Sequence, residues 1–213
     1  MGSLNEDILK VENVLGDFMF TYCDDILVKL LKLADNGKRN IVAIDGRCGA
    51  GKTTLASYLQ EKTGATVFHL DDFFLRPEQR TVTRLEQPGE NVDHERFFSE
   101  ILKPLRAGVI ELPYQRFDCK TQLLQEAVNV KAGNLCIVEG AYSCHSSLIN
   151  MYDFRIFVTV SPEEQLERII KRNGLEGAEV FKKRWIPLEE KYFAAYSIED
   201  KCDYCLNTSV LTR

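Results

Sequence analysis

Two glycines, a lysine and a threonine (Gly46, Gly51, Lys52 and Thr53) in Gly46-Arg47-Cys48-Gly49-Ala50-Gly51-Lys52-Thr53-Thr54 have the spacing G-x-x-x-x-G-K-[ST]. That spacing can cradle phosphate. Glycines permit a tight turn that aims several backbone N–H groups at one anion, and a helix N-terminus behind the turn adds favourable partial charge. Lys52 has the reach for terminal phosphates, and the Thr53 hydroxyl suits Mg²⁺. The flanks agree: the apolar run Ile41 to Ile44 predicts a strand before the loop, and Thr54 to Leu59 predicts a helix after it. Gly46, Gly49, Ala50, Gly51, Lys52, Thr53 and Thr54 are therefore expected to hold a nucleoside triphosphate such as ATP, with Mg²⁺.

A second set of residues could supply the rest of a phosphoryl transfer. Asp71 and Asp72 follow the strand-like run Thr66 to Leu70, and Glu139 follows Leu135 to Val138. Parallel α/β sheets gather ligands at such strand ends. A carboxylate there can take the proton from an attacking hydroxyl, and Glu139 fits an acid that helps place Mg²⁺. The plainer readings are a solvated turn for the pair and an exposed acid beside Gly140 for Glu139. Arg168 and Arg172 lie four residues apart, on one side of a helix, where Glu164 is an ordinary ion-pair partner one turn earlier.

The elements that must position these groups alternate between strand and helix. Residues 1–40 look helical: Asp24 and Asp25 open a run closed by Asn36-Gly37, and Asp7 to Phe20 is a weaker helical segment. Asp93 starts a helix with Phe97, Phe98, Ile101, Leu102 and Leu105 on one face, and Pro104 near its end. Val109 to Tyr114 and Ala127 to Val130 predict a hairpin-like flap, and Leu135 to Val138 and Phe154 to Val160 predict buried strands. Ser161-Pro162-Glu163-Glu164 is a strong helix start. That helix should stop at Asn173-Gly174, and a second should cover Ala178 to Tyr196, interrupted at Pro187. The polar segment Arg76 to Glu90 suits a substrate loop. This pattern predicts an α/β chain with a mainly parallel sheet covered on both faces.

Composition narrows the function. The chain has 213 residues and a net charge of −5, which argues against a nucleic-acid partner. No apolar run approaches membrane-helix length, and the N-terminus has no signal pattern. Seven cysteines without a secretory signal suggest reduced thiols in a cytoplasmic protein. Cys202-Asp203-Tyr204-Cys205 lacks a second ligand pair and reads as a final strand, Cys202 to Leu206. Cys48, inside the loop, could block nucleotide binding when modified. The chain lacks the N-K-x-D and D-x-x-G elements of a GTP switch, and a motor or transporter ATPase would need a longer chain.

Taken in order, G-R-C-G-A-G-K-T-T, H-L-D-D-F-F, N-V-D-H-E-R-F and I-V-E-G-A-Y resemble the uridine kinase, phosphoribulokinase and pantothenate kinase group, over roughly residues 41–206. The resemblance implies a three-layer P-loop NTPase fold with a helical lid for the kinase domain (41–213); the N-terminal helical extension (1–40) is unlike a minimal uridine kinase. It implies that Asp71 is the base and that Asp93 binds the acceptor's ribose, although Asp is also a preferred helix N-cap. His94, Tyr114 and Arg116 fall in the acceptor region, and Arg168 and Arg172 would close over the phosphates with Lys52. The leading acceptor is a nucleoside such as uridine or cytidine. Pantothenate, ribosylnicotinamide or a sugar alcohol are the other acceptors, and a nucleotide-binding regulatory protein is the reading from another class. The extension suits a homo-oligomer contact as well as an added helix.

Overall fold

The computed structural model describes residues 23–209. The expected segment Asp7 to Phe20 lies outside them. The apolar runs become five parallel strands: β1 (Asn40–Gly46), β2 (Thr66–His69), β7 (Leu135–Glu139), β8 (Phe154–Thr159) and β9 (Tyr204–Asn207), in spatial order β2-β7-β1-β8-β9. Every residue of β1 and β7 is buried, as strands covered on both faces require.

Alternation along β1 builds two cores. Ile41 and Ala43 face one side, with Phe68, Phe73, Phe97 and Phe157. Val42 and Ile44 face the other, with Leu55, Leu59 and Ile137. Ile26 and Leu30 of helix α1 (Asp24–Ala34) join the second core. Helix α2 (Lys52–Thr63) follows the glycine-rich loop and stops at Gly64, whose φ of 70° suits a left-handed cap.

Between β2 and β7 come a short helix, α3 (Val82–Leu85), and a longer helical stretch. The latter begins as α4 (His94–Phe97), widens into a π turn (Phe98–Leu102) and ends as α5 (Lys103–Arg106). The wide turn accommodates Pro104, which has no N–H to give and whose ring crowds the preceding turn. The flap is two small antiparallel ribbons. One pairs β3 (Glu111–Tyr114) with β6 (Val128–Lys131); the other pairs β4 (Phe117–Asp118) with β5 (Leu123–Leu124).

Ser161 caps helix α6 (Pro162–Val180) by accepting from the Glu164 amide at 3.3 Å. At Gly174 the backbone leaves helical geometry (φ 71°, ψ 175°), the break expected there, but the chain returns to helix beyond it. A π turn (Phe181–Trp185) then leads into α7 (Ile186–Tyr196), with Pro187 in its first turn. The last strand starts two residues later than expected and takes no metal-ligand form. Cys202 Sγ lies 4.0 Å from Cys144 Sγ, and both thiols are free. Among the described residues no helix is long and apolar enough to cross a membrane.

Candidate active site

The glycine-rich loop leaves the C-terminal end of β1, between β7 and β8. Gly46 must be glycine, because a Cβ there would lie 2.0 Å from the Val158 carbonyl oxygen. Gly51, at φ 96°, precedes α2 with no side-chain cap, so the first-turn N–H groups of Lys52, Thr53 and Thr54 remain available to an anion. Buried Ala50 is held from outside the loop, its carbonyl accepting from Thr208 Oγ1 at 3.0 Å. Lys52 Nζ folds back onto its own loop, donating to the carbonyls of Gly46 (2.7 Å) and Arg47 (3.1 Å).

Strand register assembles the acids. β2 pairs with β7 so that His69 stands opposite Glu139, and β1 pairs with β7 so that Ile44 does. Glu139 is buried; its Oε1 lies 3.3 Å from Thr53 Oγ1 and 2.5 Å from His69 Nδ1. The bond to Glu139 raises the His69 pKa against the opposing effect of burial. A hydroxyl beside a carboxylate is a hard-oxygen pair that fits Mg²⁺.

Asp71 lies in the 3₁₀ turn after β2; solvent reaches its side chain, while protein packed around the turn desolvates it in part. Its carboxylate accepts no hydrogen bond among the described residues. Desolvation raises its pKa to about 6; Lys52 pulls it down, while Glu139, Glu189 and Asp72 push it up. A carboxylate with free oxygens and a pKa near neutrality can accept a proton from a bound hydroxyl.

Asp72 turns the other way. Its Oδ2 accepts from Tyr114 Oη at 2.6 Å and pairs with Arg116 Nε at 3.0 Å. Tyr114 Oη also accepts from the His69 amide at 3.1 Å. Tyr114 is buried and thus fixes the turn carrying Asp71, where the sequence pointed to acceptor contact. Asp93 is buried as well, capping α4 through the Arg96 amide (3.1 Å) and accepting from Gln79 Nε2 (2.8 Å). His94 is directed to Glu90 (Nε2–Oε1 2.9 Å) and stacks on His145 with ring centroids 4.1 Å apart. These contacts engage His94 inside the protein instead of presenting it to an acceptor.

The two arginines on α6 part company. Arg168 donates to Thr208 Oγ1 (2.8 Å) and to the Gly49 carbonyl (3.4 Å), bracing the loop from behind. Arg172 is exposed, donating to Asn173 Oδ1 and lying over the Phe181 ring. Helical spacing gave them a common side, but Thr208, far along the chain, captures only the first.

Several participants carried no sequence signal that singled them out. Asp45, fully buried at the end of β1, accepts from the amides of Gly46 (2.7 Å), Cys144 (2.8 Å) and Tyr142 (3.2 Å) and from Tyr192 Oη (2.8 Å). Burial raises its pKa, with these donors and Lys52 opposing. Glu189 on α7 is buried and accepts from the Cys48 amide at 3.0 Å, and its neighbour Glu190 pairs with Arg47 at 2.8 Å. Consecutive acids on α7 therefore clamp consecutive residues of the loop. Beside the Asp71 turn, a cavity of about 220 Å³ opens among Phe74, Asn91, Cys119 and Trp185.

Comparison with known proteins agrees with this architecture. Residues 42–182 match the family model described as AAA domain, well over half of the chain, and the chain belongs to that family. It is similar to the uridine kinase of Chlamydia pneumoniae, 26% identical over 144 residues, which make up 64% of this chain and 64% of that protein. The match thus spans under two thirds of that relative's length. Among solved structures it is similar to a possible uridine kinase from Bacillus stearothermophilus (TM-score 0.63, 20% identity, 89% of this chain and 97% of that one). It is also similar to a candidate fructose transport system kinase from Silicibacter sp. TM1040 (TM-score 0.65, 21% identity, 88% and 98%). At these identities the likeness is one of fold: a P-loop kinase fold with a parallel central sheet.

Proposed function

We propose that this member of the AAA domain family is a small-molecule kinase that transfers the γ-phosphoryl group of ATP to an alcohol, with a nucleoside 5′-hydroxyl as the leading acceptor. The observation that carries the reading is Asp71: a carboxylate with a pKa near 6 and no hydrogen-bond partner, at the same sheet edge as Lys52, Thr53 and Glu139. A module that only bound nucleotide would have no need of it.

In this reading the loop and first-turn amides hold the triphosphate, and Lys52 exchanges its two loop carbonyls for phosphate oxygens. Thr53 and Glu139 would hold Mg²⁺, which when bound supplies charge neutralisation at the phosphates. Asp71 orients the acceptor hydroxyl and takes its proton as the bond to phosphorus forms. The Tyr114–Asp72–Arg116 network keeps the Asp71 turn in place. The similarity to a uridine kinase supports a nucleoside acceptor; another small alcohol is accommodated by the same chemistry.

The test is ADP release from Mg·ATP with uridine, cytidine, ribosylnicotinamide, pantothenate and simple sugar alcohols supplied one at a time. Strong stimulation by one of them is expected. ATP binding without stimulation by any alcohol would favour the regulatory reading.

A further inference from the structure

The cavity beside Asp71 has walls from three separate parts of the chain. Phe74 and Asn91 come from the segments flanking the catalytic turn, Cys119 and Gln122 from the β4–β5 ribbon, and Arg184 and Trp185 from the π turn between α6 and α7. It is small, about 220 Å³, and two aromatic rings form one part of its wall, Phe74 and Trp185, tilted 46° to each other with centroids 6.4 Å apart. Arg80 also lines it.

The chain is acidic overall, and its arginines are mostly neutralised. Arg84, Arg96 and Arg116, from the surrounding segments, each face a carboxylate. The two arginines of the cavity do not. Arg80 donates to the Leu75 carbonyl and lies over the Phe117 ring, and Arg184 lies over Trp185 with its guanidinium carbon 4.6 Å from the ring centroid. Neither has a carboxylate partner among the described residues. A guanidinium lying over an aromatic ring can keep its donor edge for an anion; Arg184 does so, whereas Arg80 gives Nε and Nη2 to the Leu75 carbonyl and has Nη1 left to offer. The cavity also adjoins the turn that carries Asp71, because Phe74 of its wall directly follows that turn. Burial raises the Cys119 pKa, Arg80 lowers it, and Asp71 and Asp72 both push it up. The Cys119 thiol therefore lies in the field of both the arginine and the two acids of that turn.

We propose that this cavity selects an anionic ligand with a single aromatic ring: the ring lies against Phe74 and Trp185, and a carboxylate or phosphate elsewhere on the ligand or on the ring itself meets Arg80 and Arg184. Resting on the phosphotransfer reading above, the ligand is the acceptor, with its free hydroxyl toward Asp71. The preferred acceptor is then an acidic alcohol, and neutral uridine is a weaker fit.

Trp185 is the chain's single tryptophan, so its fluorescence reports on this cavity alone. Three probes separate the charge and its source: uridine, orotidine (the same nucleoside with a ring carboxylate) and uridine 3′-monophosphate. At least one anion is expected to bind at least about tenfold more tightly than uridine. Which one does so distinguishes carboxylate from phosphate recognition. In Arg184→Met, an exposed position, that preference should fall to within about threefold; Arg80→Gln provides a second variant. Equal binding of all three probes, no quenching by any at millimolar concentration, or a preference that survives both substitutions would overturn the assignment. ADP release measured alongside separates the two claims. Tight anion binding with no ADP release from these probes or from any alcohol of the panel above would leave the charge preference standing and overturn phosphotransfer. ADP release with uridine and no preference for an anion would do the reverse.

Discussion

Gly140 and Asp71 are packed so closely that a Cβ on Gly140 would lie 3.0 Å from Asp71 Oδ1 and 3.3 Å from the Asp71 amide nitrogen. Gly140 also has φ 141°, a conformation that other residues rarely adopt. The turn after β7 thus sets the position of the proposed base. Gly140→Ala should displace Asp71 and lower kcat by roughly 10- to 100-fold, since small misplacements of a reacting group are costly. ATP affinity, measured by equilibrium titration, should change by less than about threefold.

The acidity of Asp71 sets the pH dependence. The base works ionised, and burial raises its pKa to about 6. Log kcat/KM should therefore fall with a slope near one below pH 6 and stay flat from there to about pH 8. The stability consequence has the opposite sign. A carboxyl with a raised folded-state pKa favours the folded protein while protonated, and that contribution is lost as pH rises from about 4 through 6. Asp71→Asn should accordingly raise Tm at pH 8 and leave it nearly unchanged at pH 4, as thermal melts at the two pH values would record.

Glu189 places its carboxylate on the Cys48 amide, next to where the triphosphate would sit; burial raises its pKa, and Lys52 and the Cys48 amide oppose that rise. Glu189→Gln keeps an oxygen on that amide and removes the charge. ATP should bind roughly three- to tenfold more tightly to the variant, because repulsion between the carboxylate and the γ-phosphate is gone. Unchanged affinity would mean that the phosphates do not approach this amide.

The place of Cys48 in the loop makes it a residue whose modification could block nucleotide binding. The structure buries it: Gln165 Nε2 donates to its Sγ at 3.4 Å, and burial with the adjacent Glu189 pushes its pKa up to about 12. A thiol so protonated is a poor nucleophile. Iodoacetamide at pH 8 should label exposed Cys119 ahead of Cys48, with peptide mass spectrometry as the readout.

What was legible in the sequence was local. The loop, the Ser161 cap, the break at Gly174 and the apolar strands each depend on neighbours a few residues away. The acids at 71 and 139 could be found because parallel strands present their C-terminal ends together. The meeting of His69 with Glu139 was not legible, since it requires the β2–β7 register. Glu189 reaches Cys48 across 141 residues, and Asp45 acquires Tyr192 across 147, so periodicity could mark neither. The same cause divides Arg168 from Arg172: the residue that captures Arg168 lies beyond the last strand.

The most direct measurement is phosphoryl transfer by wild type and Asp71→Asn under saturating Mg·ATP, with ATP binding measured on the same preparations. The account predicts that the variant binds ATP as wild type does while acceptor-dependent ADP release falls by about 10²- to 10⁴-fold, the usual contribution of a general base. Undiminished ADP release by Asp71→Asn would contradict it.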